Sequence, residues 1–110
     1  MKETTKEKYS RLTDPTKSNI RPYSVFWEDF SHEEILECLR ENGFRIMMLD
    51  NPSEEFQLEA VKSFGRAIED IKHPTDKVCY YVINQAPDWI QYIKNPSENA
   101  KQFHKMRWEV

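Results

Sequence analysis

Three histidines, two cysteines and a scatter of carboxylates are the side chains of this sequence best suited to chemistry. The densest group is Ser31-His32-Glu33-Glu34-Ile35-Leu36-Glu37, which places an imidazole and several carboxylates within a turn or two of helix. A His-Glu-x-x-His zinc site needs a second histidine at position 36, and that residue is Leu36. The same string reads more simply as the acidic first turn of a helix, where carboxylates complement the macrodipole. His73 sits next to a helix start, and His104 lies near the C-terminus, so neither completes a metal site. Cys38 and Cys79 stand singly in apolar contexts without a CxxC pair, and we read both as buried free thiols. No Ser, Cys and His group has the spacing of an activated nucleophile. Gly43 and Gly65 are the only glycines and are 22 residues apart, which leaves no material for a phosphate-binding loop. A small enzyme is therefore the least favoured class, and no cofactor or metal is expected.

The elements that carry these residues follow from an internal period, the first feature to seek in any chain. Asn-Pro-Ser-Glu occurs at 51–54 and again at 95–98, and His-Pro-Thr-Asp stands midway at 73–76. One step earlier lies Asp29-Phe30-Ser31-His32. The resulting units are 29–50, 51–72, 73–94 and a truncated 95–110. Their columns agree in character. A hydroxyl column reads Ser31, Ser53, Thr75, Ser97, and apolar columns read Leu36/Leu58/Tyr80, Leu39/Val61/Ile83, Ile46/Ile68/Ile90 and Leu49/Ile71/Ile93. A column of smaller side chains holds Cys38, Ala60 and Val82.

Each unit predicts a helix capped by its hydroxyl residue and buried along a stripe of apolar residues three apart. Gly43 and Gly65 read as C′ glycines that stop the first helix, and Pro87 breaks it in the third unit. A second, shorter helix follows, and the next Asn-Pro ends it. Such a unit cannot bury its stripe alone, but stacked neighbours can, which predicts a solenoid. The expected fold is all-α: a short α-solenoid of about three to four 22-residue repeats with an irregular N-terminal cap. In the fourth unit Gln102, His104 and Lys105 fall in core columns, so Ala100, Phe103 and Met106 are expected to pack as a terminal cap. Residues 1–28 form a flexible N-terminus and capping segment, and 29–110 the repeat domain. Residues 1–18 are polar and expected to be frayed, whereas Ile20, Tyr23, Val25, Phe26, Trp27 and Phe30 would cover the open end of the first unit.

Composition bounds the function. Charged residues are 32% of the 110, hydrophobic residues 38% and aromatics 13%, a globular rather than disordered balance. The net charge of −3 is uneven: residues 23–72 carry five basic and twelve acidic side chains, and the flanks are mildly basic. No broad basic face is implied, so direct nucleic-acid binding is not expected. The longest apolar run, Ile46 to Leu49, is far too short to span a bilayer, and no signal peptide is visible, so the chain is read as cytoplasmic without membrane contact. The acidic middle admits an alternative, a nucleic-acid mimic occupying the basic groove of a nucleic-acid-binding protein.

Aromatic placement supplies the candidate site. The column after the first apolar position reads Glu37, Glu59, Tyr81, Phe103. Two glutamates mark it as solvent-facing, so Tyr81 and Phe103 are expected to stand exposed and adjacent. Trp89 shares a column with Arg45 and Ala67, which is not a core pattern. Exposed aromatics of this kind mark protein contacts, and Tyr81, Trp89 and Phe103 are the candidate protein-binding residues.

The segments Asn-Pro-Ser-Glu-Glu-Phe-Gln-Leu-Glu-Ala-Val-Lys (51–62) and Trp-Ile-Gln-Tyr-Ile-Lys-Asn-Pro-Ser-Glu (89–98) resemble the Asn-Pro-Ser-Glu-Glu short helical repeat family of bacterial, phage and large-virus proteins. The resemblance covers 51–98 well, 29–50 weakly and 1–28 not at all. It implies a helical repeat and no activity, since the family is a domain of unknown function. Pro87 in place of glycine and Val-Cys-Tyr-Tyr-Val at 78–82 are the main departures. The leading expectation is a non-enzymatic protein–protein interaction module whose partner is another protein. The family's occurrence in phages implies a narrower form, an inhibitor or adaptor acting on a host protein.

Overall fold

The computed structural model describes residues 2–13 and 27–108, and among them every regular element is helical. In chain order these are α1 (Thr5–Thr13), the 3-10 turn η1 (Trp27–Asp29), α2 (His32–Glu41), η2 (Gly43–Met48), α3 (Glu54–Ser63), η3 (Gly65–Asp70), α4 (Asp76–Gln85), η4 (Pro87–Tyr92) and α5 (Glu98–Trp108). The 22-residue register holds without slippage in the α-then-3-10 sequence of the first three units. Each α-helix packs on the next, η2 packs on η3 and η3 on η4, and the stack extends 55 × 25 × 19 Å.

The hydroxyl column caps all four helices. Ser31, Ser53, Thr75 and Ser97 accept from the backbone N–H groups of Glu34, Phe56, Val78 and Ala100. Only the first is a reciprocal capping box, because Glu34 reaches back to the Ser31 N–H at 2.9 Å. The Ser97 hydroxyl also donates to Asp76 at 2.8 Å, tying α5 to α4. Asn99 and Ser97 together hold the Asp76 carboxyl below its usual range.

Helix termination differs from the sequence reading. Asn42, Phe64 and Ala86 close the α-helices in extended conformation, and each N–H reaches back four residues. Gly43 and Gly65 follow as the first residues of η2 and η3, and neither has positive φ. They stand at C′, directly after the cap residue, but without the left-handed conformation of a C′ glycine cap. Their reason is space: a methyl on Gly43 would overlap the Ala60 carbonyl oxygen, and one on Gly65 would overlap the Trp89 ring. Pro87 starts η4 at a position where a missing N–H costs little. Among the described residues, the left-handed ones are Asn51 and Asn95, both at φ 49°. Asparagine tolerates that conformation better than other non-glycine residues, which lets the Asn-Pro junction reverse the chain into the next cap.

The interior runs the length of the stack through Leu39, Ile46, Val61, Ile68, Ile71, Val82 and Ile83, none more than 2% exposed. Leu36 is buried as well, but its column mates Leu58 and Tyr80 are half-buried. Cys38 and Cys79 are buried free thiols, and burial pushes both up to about 11. One polar side chain sits inside this core among the described residues. Gln57, 5% exposed, donates to Pro52 O at 3.0 Å and accepts from Thr75 N at 3.2 Å. It secures the junction between the second and third units, where His73 replaces the asparagine and the backbone is not left-handed.

Both ends are closed. Residues 5–13, expected to be frayed, form a helix whose first turn carries a Thr4–Glu7 capping box. Tyr9 and Leu12 pack on the core, Lys8 pairs with Glu34 at 2.9 Å, and the Arg45 guanidinium lies 3.8 Å over the Tyr9 ring. Trp27 and Phe30 are buried at the same end, as expected. The expectations for Ile20, Tyr23, Val25 and Phe26 fall outside the described residues. At the other end Ala100 is buried and Phe103 half-buried, whereas Met106 is 73% exposed and takes no part in the cap. Polar contacts finish it: Trp108 Nε1 donates to Ile83 O at 2.8 Å and His104 Nε2 to Pro87 O at 3.1 Å.

Candidate functional site

The repeat makes a built-in comparison possible along the α-helical face. Between α2 and α3 that face is closed by an ion pair and a histidine–carboxylate contact. Arg40 Nε donates to Glu59 Oε1 at 2.6 Å, and His32 Nε2 contacts Glu55 Oε2 at 2.8 Å. One repeat later the equivalent of Arg40 is Lys62, but the equivalent of Glu59 is Tyr81, so the ion pair has lost its acid. The equivalent of Glu55 is Lys77, so a second acid has become a base.

The result is a groove of about 630 Å³ shared by α3, α4 and α5, lined by Leu58, Lys62, Lys77, Tyr80, Tyr81, Asn84 and Phe103. Its floor is apolar and aromatic. Leu58, Tyr81 and Phe103 are half-buried against the core, and the half-buried Tyr80 ring lies 4.7 Å from that of Phe103. Lys62 and Lys77 are exposed and hold no acidic partner among the described residues. Arg107 adds a third cation nearby, since its Nε donates to the neutral Asn84 Oδ1 at 2.9 Å. Among the described residues, no carboxylate lines the groove.

Of the residues singled out from sequence, the structure brings Tyr81 and Phe103 to this groove, though half-buried rather than fully exposed. Trp89 is placed elsewhere. Its ring occupies the space that the missing side chain of Gly65 leaves between the second and third units, so it serves the packing of the stack. Its column gave no warning, because the space it fills belongs to the preceding repeat.

Sequence reading also missed a second apolar surface. In a 3-10 helix, side chains three apart eclipse one another. Gly43 and Ile46 therefore face inward together, and Phe44 and Met47 face outward together, 42% and 59% exposed. Phe64, 40% exposed, stacks on Phe44 with ring centroids 4.4 Å apart. The equivalents of Phe44 and Met47 in later units are Arg66 and Glu69, which pair at 3.1 Å, then Asp88 and Gln91. Reading those columns across the units, as for Glu37, Glu59 and Tyr81, is the signal that finds them.

Elsewhere the acidic middle of the chain is partly neutralised internally. Glu34, Glu41, Glu55, Glu59 and Glu69 contact Lys8, Arg45, His32, Arg40 and Arg66. That pairing thins the dense free charge a nucleic-acid mimic requires. Among the described residues, no cluster of three or more His, Cys, Asp or Glu is arranged to hold a metal ion, and no helix is long and apolar enough to cross a membrane. Comparisons with known protein families, with curated proteins and with solved structures return no match to this chain.

Proposed function

We propose that this chain is a non-enzymatic protein-interaction module, a short α-solenoid that holds a segment of another protein in the groove between α3, α4 and α5. The observation that carries the reading is the aromatic floor of Tyr80, Tyr81 and Phe103, at positions where the preceding repeat has Leu58, Glu59 and Tyr81. In the regular part of the stack this column needs no ring to fold, because glutamate serves there. An aromatic ring on a partly open groove gains from a partner that covers it, and aromatic side chains dominate interface energetics. The narrower role of a phage-type inhibitor or adaptor acting on a host protein in the cytoplasm rests on the sequence resemblance alone.

Site-specific photo-crosslinking tests the reading. A photoreactive amino acid is placed at position 81 or, as a control, at position 37 of the full chain, and both proteins are irradiated in the cells that make them. Crosslinks to one protein from position 81, absent from position 37 and lost on Phe103→Ala, are the expected result. Equal labelling from both positions would remove the groove from consideration.

A further inference from the structure

Resting on the reading of the groove as a protein-binding surface, we propose that its occupant is an acidic peptide segment bearing an aromatic or long aliphatic side chain. The chemistry of the segment follows from what the groove lacks. Among the described residues, its walls carry Lys62 and Lys77 without acidic partners and no carboxylate, and Arg107 close by donates to the neutral Asn84 amide and lies over the Trp108 ring. Along the described stack Lys8 pairs with Glu34, Arg40 with Glu59, Arg45 with Glu41, Arg66 with Glu69 and Lys101 with Glu98, whereas Lys62, Lys72, Lys77, Lys94 and Lys105 hold no ion pair. Of these lysines, Lys62 and Lys77 are the two that stand beside the aromatic floor.

The repeat says what would match them. In the preceding interface, the position of Lys62 is held by Arg40, and its partner is the carboxylate of Glu59. Tyr81 removes that carboxylate from the groove and leaves the lysine able to accept one from outside. Carboxylates of the occupant would take the place of Glu59 beside Lys62 and meet Lys77 on the opposite wall. An apolar side chain between them would cover Tyr81 and Phe103. Charge complementarity of this sort sets specificity and association rate, and the buried ring contacts set affinity. A nucleic acid could also answer the lysines, but the groove is a local pocket on a chain of net charge −3, without the basic stripe that tracking a phosphate backbone requires.

A library of short random peptides displayed on phage, panned against the full chain, tests this directly. Selected peptides are expected to be net acidic with one or more aromatic or aliphatic anchors. Their affinity should fall roughly tenfold or more in Lys62→Glu/Lys77→Glu and decline as salt is raised. Both lysines are exposed, so the double variant keeps its fold, which a thermal melt checks. Selected peptides that lose binding on Tyr81→Glu yet are neutral or basic would overturn the acidic class and leave the groove standing as a protein site. Peptides indifferent to Tyr81→Glu and Phe103→Ala, or no selection at all, would overturn both. Binding of single-stranded DNA at the groove, stronger than that of any selected peptide, would overturn the choice of a protein partner.

Discussion

The first and second inter-helix faces of this molecule are built on one plan and finished differently. Where α2 meets α3, Arg40 pairs with Glu59 and His32 contacts Glu55, so the polar groups there meet one another. Where α3 meets α4, the same columns hold Lys62, Tyr81 and Lys77, and among the described residues the two lysines have no acidic partner. Below both surfaces the interior is alike, with Leu39, Val61 and Ile83 in one column and none more than 2% exposed. A repeat protein can thus vary a face without touching the register that folds it, since each unit needs only its inward columns to stack.

If that separation of interior and surface is right, the interior should respond alike at both ends. Leu39→Ala and Ile83→Ala are each expected to cost ~2–5 kcal/mol in urea unfolding, because both leave a cavity at a fully buried site. A small cost at Ile83 beside a large one at Leu39 would mean that the groove end is loosely packed, and the two faces would then differ in more than their surfaces.

The glycines sharpen the same comparison at the unit junctions. Gly43→Ala and Gly65→Ala should each cost ~1–3 kcal/mol through overpacking. They differ in what stands in the way. At Gly43 it is the backbone carbonyl of Ala60, and no side-chain change relieves it. At Gly65 it is the Trp89 ring, so Trp89→Leu in the Gly65→Ala background should recover part of the loss. Absence of any recovery would contradict the placement of Trp89 as a filler of the glycine's space.

A smaller effect is expected at the caps. Ser53→Ala removes a single N-cap hydrogen bond and should cost ~1 kcal/mol. Ser31→Ala should cost somewhat more, since Glu34 then loses the orientation that lets it bind both the Ser31 N–H and Lys8. Calorimetric melts of the two variants compare them, and a larger loss at Ser53 would contradict the capping box at Ser31.

Much of this architecture could be read from residue columns because the physics concerned is local. A hydroxyl before an acidic turn sets a helix start, and apolar residues three apart set its buried stripe. Ser31, Ser53, Thr75 and Ser97 needed no knowledge of their neighbours. What escaped reading depends on contacts between units. Gly43 and Gly65 look like helix stops until the atoms of the next repeat are known to press on them. The helix α1 is nearly all polar, and its anchors, Tyr9 and Leu12, gain their worth from Arg45, Lys8 and Glu34 across a long sequence gap. Its Thr4-x-x-Glu7 signature was nonetheless present in the sequence. Of the candidate site, Tyr81 and Phe103 emerged because glutamate in earlier units marked their column. Lys62 and Lys77 did not, because an unmatched charge becomes visible only when the partner of Arg40 is known.

The central claim is that Tyr81 is a surface substitution laid on an intact repeat rather than part of what folds it. Urea unfolding of Tyr81→Glu tests this most directly, since the change restores the residue of the preceding unit and offers Lys62 the carboxylate that Arg40 already has. The unfolding free energy should move by less than about 1 kcal/mol, because a surface ion pair gained offsets the modest burial of the ring. A loss of about 2 kcal/mol or more, comparable to Ile83→Ala, would place the ring in the core and contradict the account.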